Sequence, residues 1–541
     1  MQVAEDADAQ WRDTDGVYLR PDVKIEPLTC GWYAWTHLLS PVQLAMNVAY
    51  RQLPLLQSFV QNPAIHVSAS RDRRLFGGPF VDLPREQIGQ VRELIEAMTR
   101  RCARLIQLAK DIKSLDGKLQ ESANGHSLSE FYAALPESLA GMVECLYDIN
   151  NHPRLRFHEE LIYDENLAAG TSEIMLSRTP ERERTFFMST PRLRGPRDML
   201  FNLEFSDERL DMLASMRTAA RPFGSVVQSF DVSAEDRATF SSYFTREAPA
   251  RNAPQYLEEG VRVRYFGHAC VLIQTAQTSI LLDPMLAWDV HDGDGRFTFK
   301  DLPDRIDYVV LSHNHQDHCA PEMLLQLRHR IGRVIVPASN RGAIADPSMK
   351  LALERLGVRA VDVLEAFDQV QFADGKIVSL PFPGEHVDLD IYSRHGIFIE
   401  IRGRRFAFLV DSDGWDPVLF RRITRRVGAK VDALFLGMEC HGAPLTWLYG
   451  PLLTKPISRR NDESRRLSGL DGRRAWQVLQ EFSADRVFVY AMGQEPWLRY
   501  IMGLEYTPDS VQLREMNAFL ARCREANLPA ESLFVSHQMI L

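Results

Sequence analysis

The sequence predicts an α+β amino-terminal half followed by two β-sheets packed face to face with helices outside. Three observations carry that prediction. Residues 245–260 hold Pro249 and Pro254 and show no apolar periodicity, which marks a boundary between units. Beyond that boundary, short apolar runs alternate with amphipathic stretches, the pattern of strands interleaved with helices. Before it, one long stripe at helical spacing precedes several short runs rich in Phe, Ile and Leu. The units are therefore residues 1–250 and residues 251–541, and 541 residues is a length that suits two domains.

Taken in order, residues 1–40 mix charges with Trp11, Trp32 and Trp35 and are expected to be irregular. Over residues 84–113, Ile88, Val91, Ile95, Met98, Cys102 and Leu105 recur at three- and four-residue steps, which predicts one long amphipathic helix. Its stripe serves either its own core or a subunit interface, since both bury such a face. Between 155 and 205, runs at 157–163, 173–176, 185–188 and 199–205 suggest an antiparallel sheet. In the second unit, strands are expected at 261–266, 270–274, 279–283, 306–311, 333–337, 369–372, 376–381, 396–402, 405–410, 431–436 and 486–490. Helices are expected at 321–330 and near 415–427, 472–483 and 510–525. Residues 446–472 carry Arg459, Arg460, Arg465 and Arg466 among Ser, Asn and Gly and are expected to form a mobile surface loop.

Composition narrows the function classes. Hydrophobic residues at 45% and charged residues at 25% describe a globular protein, and a net charge of −9 argues against bulk nucleic-acid binding or a polybasic membrane patch. The first ten residues are acidic and lack a secretory core, and no apolar run has membrane-spanning length, so a cytoplasmic location is expected. The seven cysteines form no CxxC, and reduced, buried thiols are the expectation.

The chemistry concentrates at His313-Asn314-His315-Gln316-Asp317-His318, four candidate metal ligands in six residues, directly after the apolar run ending at Leu311. Alternation puts His313 and His315 on one side, while Asp317 and His318 fall where the chain turns, so the set suits two adjacent metals. Asp411 closes another apolar strand and is a candidate bridging ligand. At Pro383-Gly384-Glu385-His386, either Glu385 or His386 supplies a further ligand. With His386 the set is His-rich and suits Zn²⁺ and hydrolysis; with Glu385 it holds three His and three carboxylates, which favours iron and O₂ activation. His268 and His441 are further candidates around the metals.

The His-x-His-x-Asp-His motif after a strand resembles that of the metallo-β-lactamase superfamily, as do residues 265–270 and 280–284. That resemblance implies an αββα sandwich over the second unit, with two metals at the edge of the paired sheets. A narrower resemblance covers nearly the whole chain. Gly384-Glu385-His386, Asp411-Ser412-Asp413-Gly414, the six-residue motif, the length and the large amino-terminal unit together resemble the diiron β-hydroxylases of nonribosomal peptide antibiotic biosynthesis. The last strand, residues 486–490, runs into Ala491-Met492-Gly493, with no His where hydrolases of the superfamily carry one.

The narrower resemblance implies His313, His315 and Glu385 on one iron, Asp317 and His318 on the other, and Asp411 shared or on the second. It implies a cytoplasmic, dimeric monooxygenase that hydroxylates the β-carbon of an amino acid held as a thioester on the phosphopantetheine of a nonribosomal peptide synthetase carrier domain. O₂ would be the co-substrate. No Gly-x-Gly-x-x-Gly opens a helix, so the two electrons are expected from a separate reductase. Carrier domains are usually acidic, and the arginines at 459–466, or Arg421, Arg422, Arg425 and Arg426, are candidate docking residues. The alternative is a dinuclear zinc hydrolase of the same fold.

Overall fold

The structure, a computed structural model, describes residues 11–252, 254–289, 295–385, 388–503 and 505–541. The second half holds two seven-stranded sheets. Across the first, the order is Val361–Leu364, Ile331–Pro337, Ile306–Val310, Ser279–Leu282, Val271–Gln274, Arg262–Tyr265 and His537–Ile540. Across the second it is Gln369–Phe372, Gly375–Leu380, Gly396–Ile401, Arg404–Phe408, Ala433–Gly437, Val487–Tyr490 and Ala530–Ser532. Period-two alternation gives each strand two apolar faces, because both faces of each sheet are covered. Val263, Val271, Ile273, Ile280, Leu282 and Val310 of the first sheet meet Ile397, Ile399, Phe406, Phe408 and Phe435 of the second in one buried layer. The outer face of the second sheet packs on the helices Pro417–Val427, Gly472–Leu479 and Val511–Glu525 through Phe420, Ile423, Val478, Phe519 and Leu520.

The outer face of the first sheet is covered partly by the helices Pro321–Leu327 and Met349–Arg355 and partly by the amino-terminal half, with which it shares a continuous core. In that half, Lys24–Thr29 pairs antiparallel with Trp32–Tyr33 and with Ser172–Ser177, which pairs in turn with Met199–Phe201. The antiparallel sheet expected between 155 and 205 thus has two of its strands there. Residues 185–188 form no strand, running into a turn at 187–189, and most of 157–163 is the helix Glu159–Asp164.

Three expectations are corrected. Residues 11–40, the described part of the stretch expected to be irregular, are largely regular: Lys24–Thr29 is a wholly buried strand. Its charges obscured it, because Glu26 lies inside, neutralised by Arg184 and Arg192 at 3.3 and 3.1 Å. The helix over 84–113 is two, Ile88–Arg101 and Ala103–Ser122, broken at Cys102 (φ −99°, ψ 17°). Val91, Met98, Cys102 and Leu105 are buried in the chain's own core, so this much of the stripe is used internally.

The third correction bears on the site. Residues 446–472 are not a mobile loop, since helical turns at Leu445–Tyr449, Gly450–Leu452 and Arg459–Ser464 order them. Leu448 and Tyr449 are buried, and Arg51 donates to the carbonyls of Trp447 (2.5 Å) and Leu448 (3.3 Å). The guanidinium thereby satisfies main-chain oxygens that a short helix leaves without partners. Arg51 itself sits in the π-helical turn Val48–Gln52. The apolar residues between the polar ones, not the arginines, decide how this segment folds.

Candidate metal centre

Two residues past the strand Arg404–Phe408, Val410 has φ 39° and turns the chain into Asp411. On the first sheet, Leu311 leads out of Ile306–Val310 into the six-residue motif, which closes on itself as His318 N and Cys319 N donate to the carbonyl of His315. The helix Pro321–Leu327 follows at once. A rigid strand before the motif and a helix after it fix both ends of a short loop.

All six side chains singled out in the sequence converge and are buried. His313 Nε2 lies 3.1 Å from His315 Nδ1, which lies 2.6 Å from Glu385 Oε2. Asp411 Oδ2 stands between His318 Nε2 (2.9 Å) and His313 Nε2 (3.6 Å). Asp317 Oδ2 lies 3.5 Å from His318 Nε2. Three overlapping groups could each hold a metal ion: His313, His315 and Glu385; His313, His318 and Asp411; and His268, Asp317 and His318. Glu385 joins the first of these groups, and His386 lies outside the described residues. His441 is exposed and joins none of these groups among the described residues.

Residues around this set fix its orientation. His268, at φ 53°, places Nε2 3.0 Å from Asp317 Oδ2. His318 Nδ1 donates to Asp283 Oδ2 at 2.9 Å, and Asp283 also accepts from Ser312 N and Oγ at 2.7 and 2.6 Å. That hydrogen bond leaves His318 Nε2 for a metal. Arg394 donates to the main-chain oxygens of Gly384 (3.2 Å) and Glu385 (2.7 Å), and so holds the Glu385 loop. Sequence reasoning did not assign roles to Asp283, Arg394 or Glu439. For Asp283 a signal existed: an Asp-Pro pair ending an apolar strand is an abrupt, polar strand end.

The electrostatics call for cations. Burial drives the His313 imidazolium well below its usual range, and His318 and His315 reinforce this. Burial also opposes charge on His318, yet Asp411, Asp317 and the hydrogen bond to Asp283 raise it well above that range. Burial raises Glu385 in spite of His315 beside it. Glu439 is pushed well above an ordinary carboxylate by burial and then by Glu385, Asp411 and Asp317. His318 Nε2 is buried without hydrogen-bond geometry to any neighbour. An orphaned nitrogen facing two carboxylates, inside an excess of acids, fits a pair of divalent or trivalent cations.

Comparison with known proteins agrees in length and in kind. Residues 18–249 match the family model described as the diiron non-heme β-hydroxylase N-terminal domain, and residues 262–409 match a β-lactamase superfamily domain. The 4-amino-L-phenylalanyl-[CmlP-peptidyl-carrier-protein] 3-hydroxylase of Streptomyces venezuelae is 34% identical over 535 residues, covering 97% of this chain and 99% of that one. The chain belongs to the diiron β-hydroxylase family. The crystal structure of CmlA, a diiron β-hydroxylase from Streptomyces venezuelae, superposes with a TM-score of 0.91 at 33% identity over 98% of this chain and all of that one. By contrast, a UPF0173 metal-dependent hydrolase of Listeria innocua is 25% identical over only 28% of this chain and 63% of its own. This β-hydroxylase is an oxidoreductase with a non-haem diiron cofactor, and the zinc-hydrolase alternative is set aside. Among the described residues, no helix is long and apolar enough to cross a membrane.

Beside these candidate ligands, a cleft is lined by His313, His315 and Glu385 together with His37, Phe382 and Tyr449. His37 comes from the amino-terminal half, where its ring stacks on Trp35 with centroids 4.5 Å apart. Thr36 Oγ1 donates to Asn314 O at 3.1 Å, which ties that half to the residue between two candidate ligands.

Proposed function

We propose that this enzyme hydroxylates the β-carbon of an amino acid tethered as a thioester to a nonribosomal peptide synthetase carrier domain, consuming O₂ and two electrons. The observation that carries this reading is the end-to-end likeness to a hydroxylase of a carrier-bound amino acid, with three carboxylates among the six buried candidate ligands. The proposed ligands are His313, His315 and Glu385 for one iron and Asp317, His318 and Asp411 for the other, with Asp411 placed to bridge. Hard carboxylate oxygens favour iron in its higher oxidation states. When bound in its reduced form, such a cofactor supplies the electrons that activate O₂ for attack on an unactivated C–H bond.

The chain's own residues do the rest. Asp283 and His268 hold His318 and Asp317 in one orientation, and Arg394 holds the Glu385 loop. His37, Phe382 and Tyr449 line the cleft beside the proposed ligands and give it apolar and aromatic surface. The electrons come from a separate reductase, and the protein acts as a cytoplasmic homodimer in this reading. The test is metal analysis and an optical spectrum, followed by turnover of carrier-loaded amino acids. About two irons per chain, bands that bleach on reduction, and a product heavier by one oxygen are expected. Two zincs that survive anaerobic iron reconstitution, with no oxygen incorporated, would sink the proposal.

The carrier is proposed to dock beside the helical turn Arg459–Ser464. Asp462 of this turn accepts from Thr446 N and Oγ1 at 2.8 and 2.7 Å, which fastens it to the turn that carries Tyr449. Arg465 reaches Asp388 at 2.5 Å, on the loop that continues to Arg394 at the cleft. Arg465 and Arg466 pair within the chain, whereas Arg459 and Arg460 are exposed. Of the alternative set on Pro417–Val427, Arg421 pairs with Glu481 and Arg426 lies over the Phe367 ring. Reversing Arg459 and Arg460 to Glu is expected to raise KM for the loaded carrier about tenfold and to flatten its salt dependence, with kcat little changed. Unchanged KM and salt dependence would move the docking site elsewhere.

A further inference from the structure

Two cysteines from distant parts of the amino-terminal half meet in its core. Cys30 Sγ and Cys102 Sγ are 3.2 Å apart, the residues stand 72 positions apart in sequence, and both are about fully buried, 1% and 0% exposed. Each stands at a break in regular structure. Cys30 and Gly31 form the turn between Lys24–Thr29 and Trp32–Tyr33, with φ of 48° and 76°. Cys102 is the residue at which Ile88–Arg101 ends and Ala103–Ser122 begins, so the interruption of an otherwise continuous helix falls at the thiol that meets Cys30.

The two segments are already joined through Glu173. Arg101 Nη1 donates to Glu173 Oε1 at 2.5 Å, and Gly31 N donates to Glu173 Oε2 at 2.9 Å. The hydrogen bond from Cys30, and then the nearby Arg101 charge, hold the Cys102 thiol below its ordinary range despite burial. A disulfide needs sulfurs about 2.05 Å apart, so closure asks for an approach of only ~1.1 Å.

We infer that Cys30 and Cys102 are a disulfide-forming pair, oxidised by hydrogen peroxide, that fastens the hairpin leading to the metal cleft onto the break between the two long helices. In the first step the Cys102 thiolate attacks one peroxide oxygen, the O–O bond breaks, and the departing hydroxide takes a proton to become water. Cys30 sulfur then attacks the Cys102 sulfenic sulfur, the S–S bond forms, and the expelled hydroxide leaves as water with the Cys30 proton. Two electrons pass from the thiols to peroxide, and two waters result.

The consequence reaches the site through a short stretch of chain. Six residues after Cys30, Thr36 bonds Asn314 O, and the next residue, His37, lines the cleft. Arg192 N donates to Gly31 O at 2.7 Å, so the turn is held from a second side. Closing a 72-residue separation restricts the unfolded chain strongly, and the folded hairpin loses freedom at its root.

The test uses the full-length protein with its iron. After treatment with a small excess of peroxide, alkylation in denaturant should label five of the seven cysteines. Peptide mapping should show one cross-link, lighter by two hydrogens, joining Cys30 to Cys102, and a phosphine reductant should reverse it. The oxidised protein should melt higher than the reduced one, and its amides over residues 32–38 should exchange more slowly. In Cys102→Ser the melting difference and the exchange difference should both vanish. Seven labelled cysteines after peroxide, over-oxidation without a cross-link, or a cross-link between other residues would overturn the inference. Unchanged exchange at 32–38 in cross-linked protein would remove the link to the cleft.

Discussion

Asp283 decides which nitrogen of His318 is offered to a metal. Its carboxylate accepts from Nδ1 and is itself fixed by two bonds from Ser312, so the imidazole has one orientation. Replacing it with Asn keeps the shape but weakens the acceptor, and such partners of metal-bound histidines are typically worth about 10- to 100-fold in metal affinity. Asp283→Asn is therefore expected to lose one iron of two in chelator competition, with the iron proposed for His313, His315 and Glu385 retained. Equal retention of both would show that Asp283 does not act through His318. The six converging side chains were legible in the sequence because ligand types at strand ends are rare and closely spaced. The role of Asp283 was only hinted at, by the Asp-Pro pair that ends its apolar run, and that of Glu439 was not legible at all, because a single acid after an apolar run is the common way for any strand to end. What distinguishes Glu439 is proximity in space to Glu385, Asp411 and Asp317, and no spacing in the chain encodes that.

Strands were read more faithfully than the segments that lie over them. Apolar alternation marked eleven strands of the two large sheets, whereas the short edge strands Val361–Leu364, Ala530–Ser532 and His537–Ile540 escaped because their residues are mostly part-exposed and mixed in character. Residues 446–472 misled for the opposite reason, since their many arginines outweighed the few apolar residues that bury themselves. One histidine welds the two sheets beneath the motif. His395 Nε2 donates to Leu311 O at 3.1 Å, so its Nδ1, 3.0 Å from Ser379 Oγ, accepts the hydroxyl proton. Burial lowers its pKa from 6.5 to about 4. Between those values the unfolded chain binds the proton that the folded chain refuses, so this histidine's contribution is complete above pH 6.5 and is lost as pH falls toward 4. The loss is on the order of 3 kcal/mol. His395→Gln should be less stable at pH 7 but should lose stability more gently on acidification, by about one proton in the slope of denaturant-derived stability against pH. Parallel pH profiles for the two proteins would refute this role.

Across the whole molecule, the halves are joined by charge as well as by apolar contact. Arg184 lies 2.7 Å from Glu322, in the first turn of the helix after the metal-binding loop, and 3.3 Å from Glu26 in the amino-terminal sheet. Tyr500 donates to Glu322 at 2.9 Å, Tyr33 donates to Glu26 at 3.2 Å, and the guanidinium lies over the Tyr500 ring at 3.6 Å. Removing the cation leaves Glu322 buried without its charge partner while Glu26 keeps Arg192 at 3.1 Å, and breaking a buried pair on one side costs about 3–5 kcal/mol. Arg184→Met should show that loss in denaturant melts and should also weaken iron retention, since Glu322 begins the helix that ends the motif. A loss under 1 kcal/mol with full iron content would mean the network is dispensable. The cleft itself is assembled from two sources: loops at the sheet ends carry the proposed ligands, while His37 and Tyr449 arrive on segments outside those sheets. Under that assignment, the shape of the cleft and the proposed metal set can be altered independently, since substitutions at His37 or Tyr449 touch segments that carry none of the six proposed ligands.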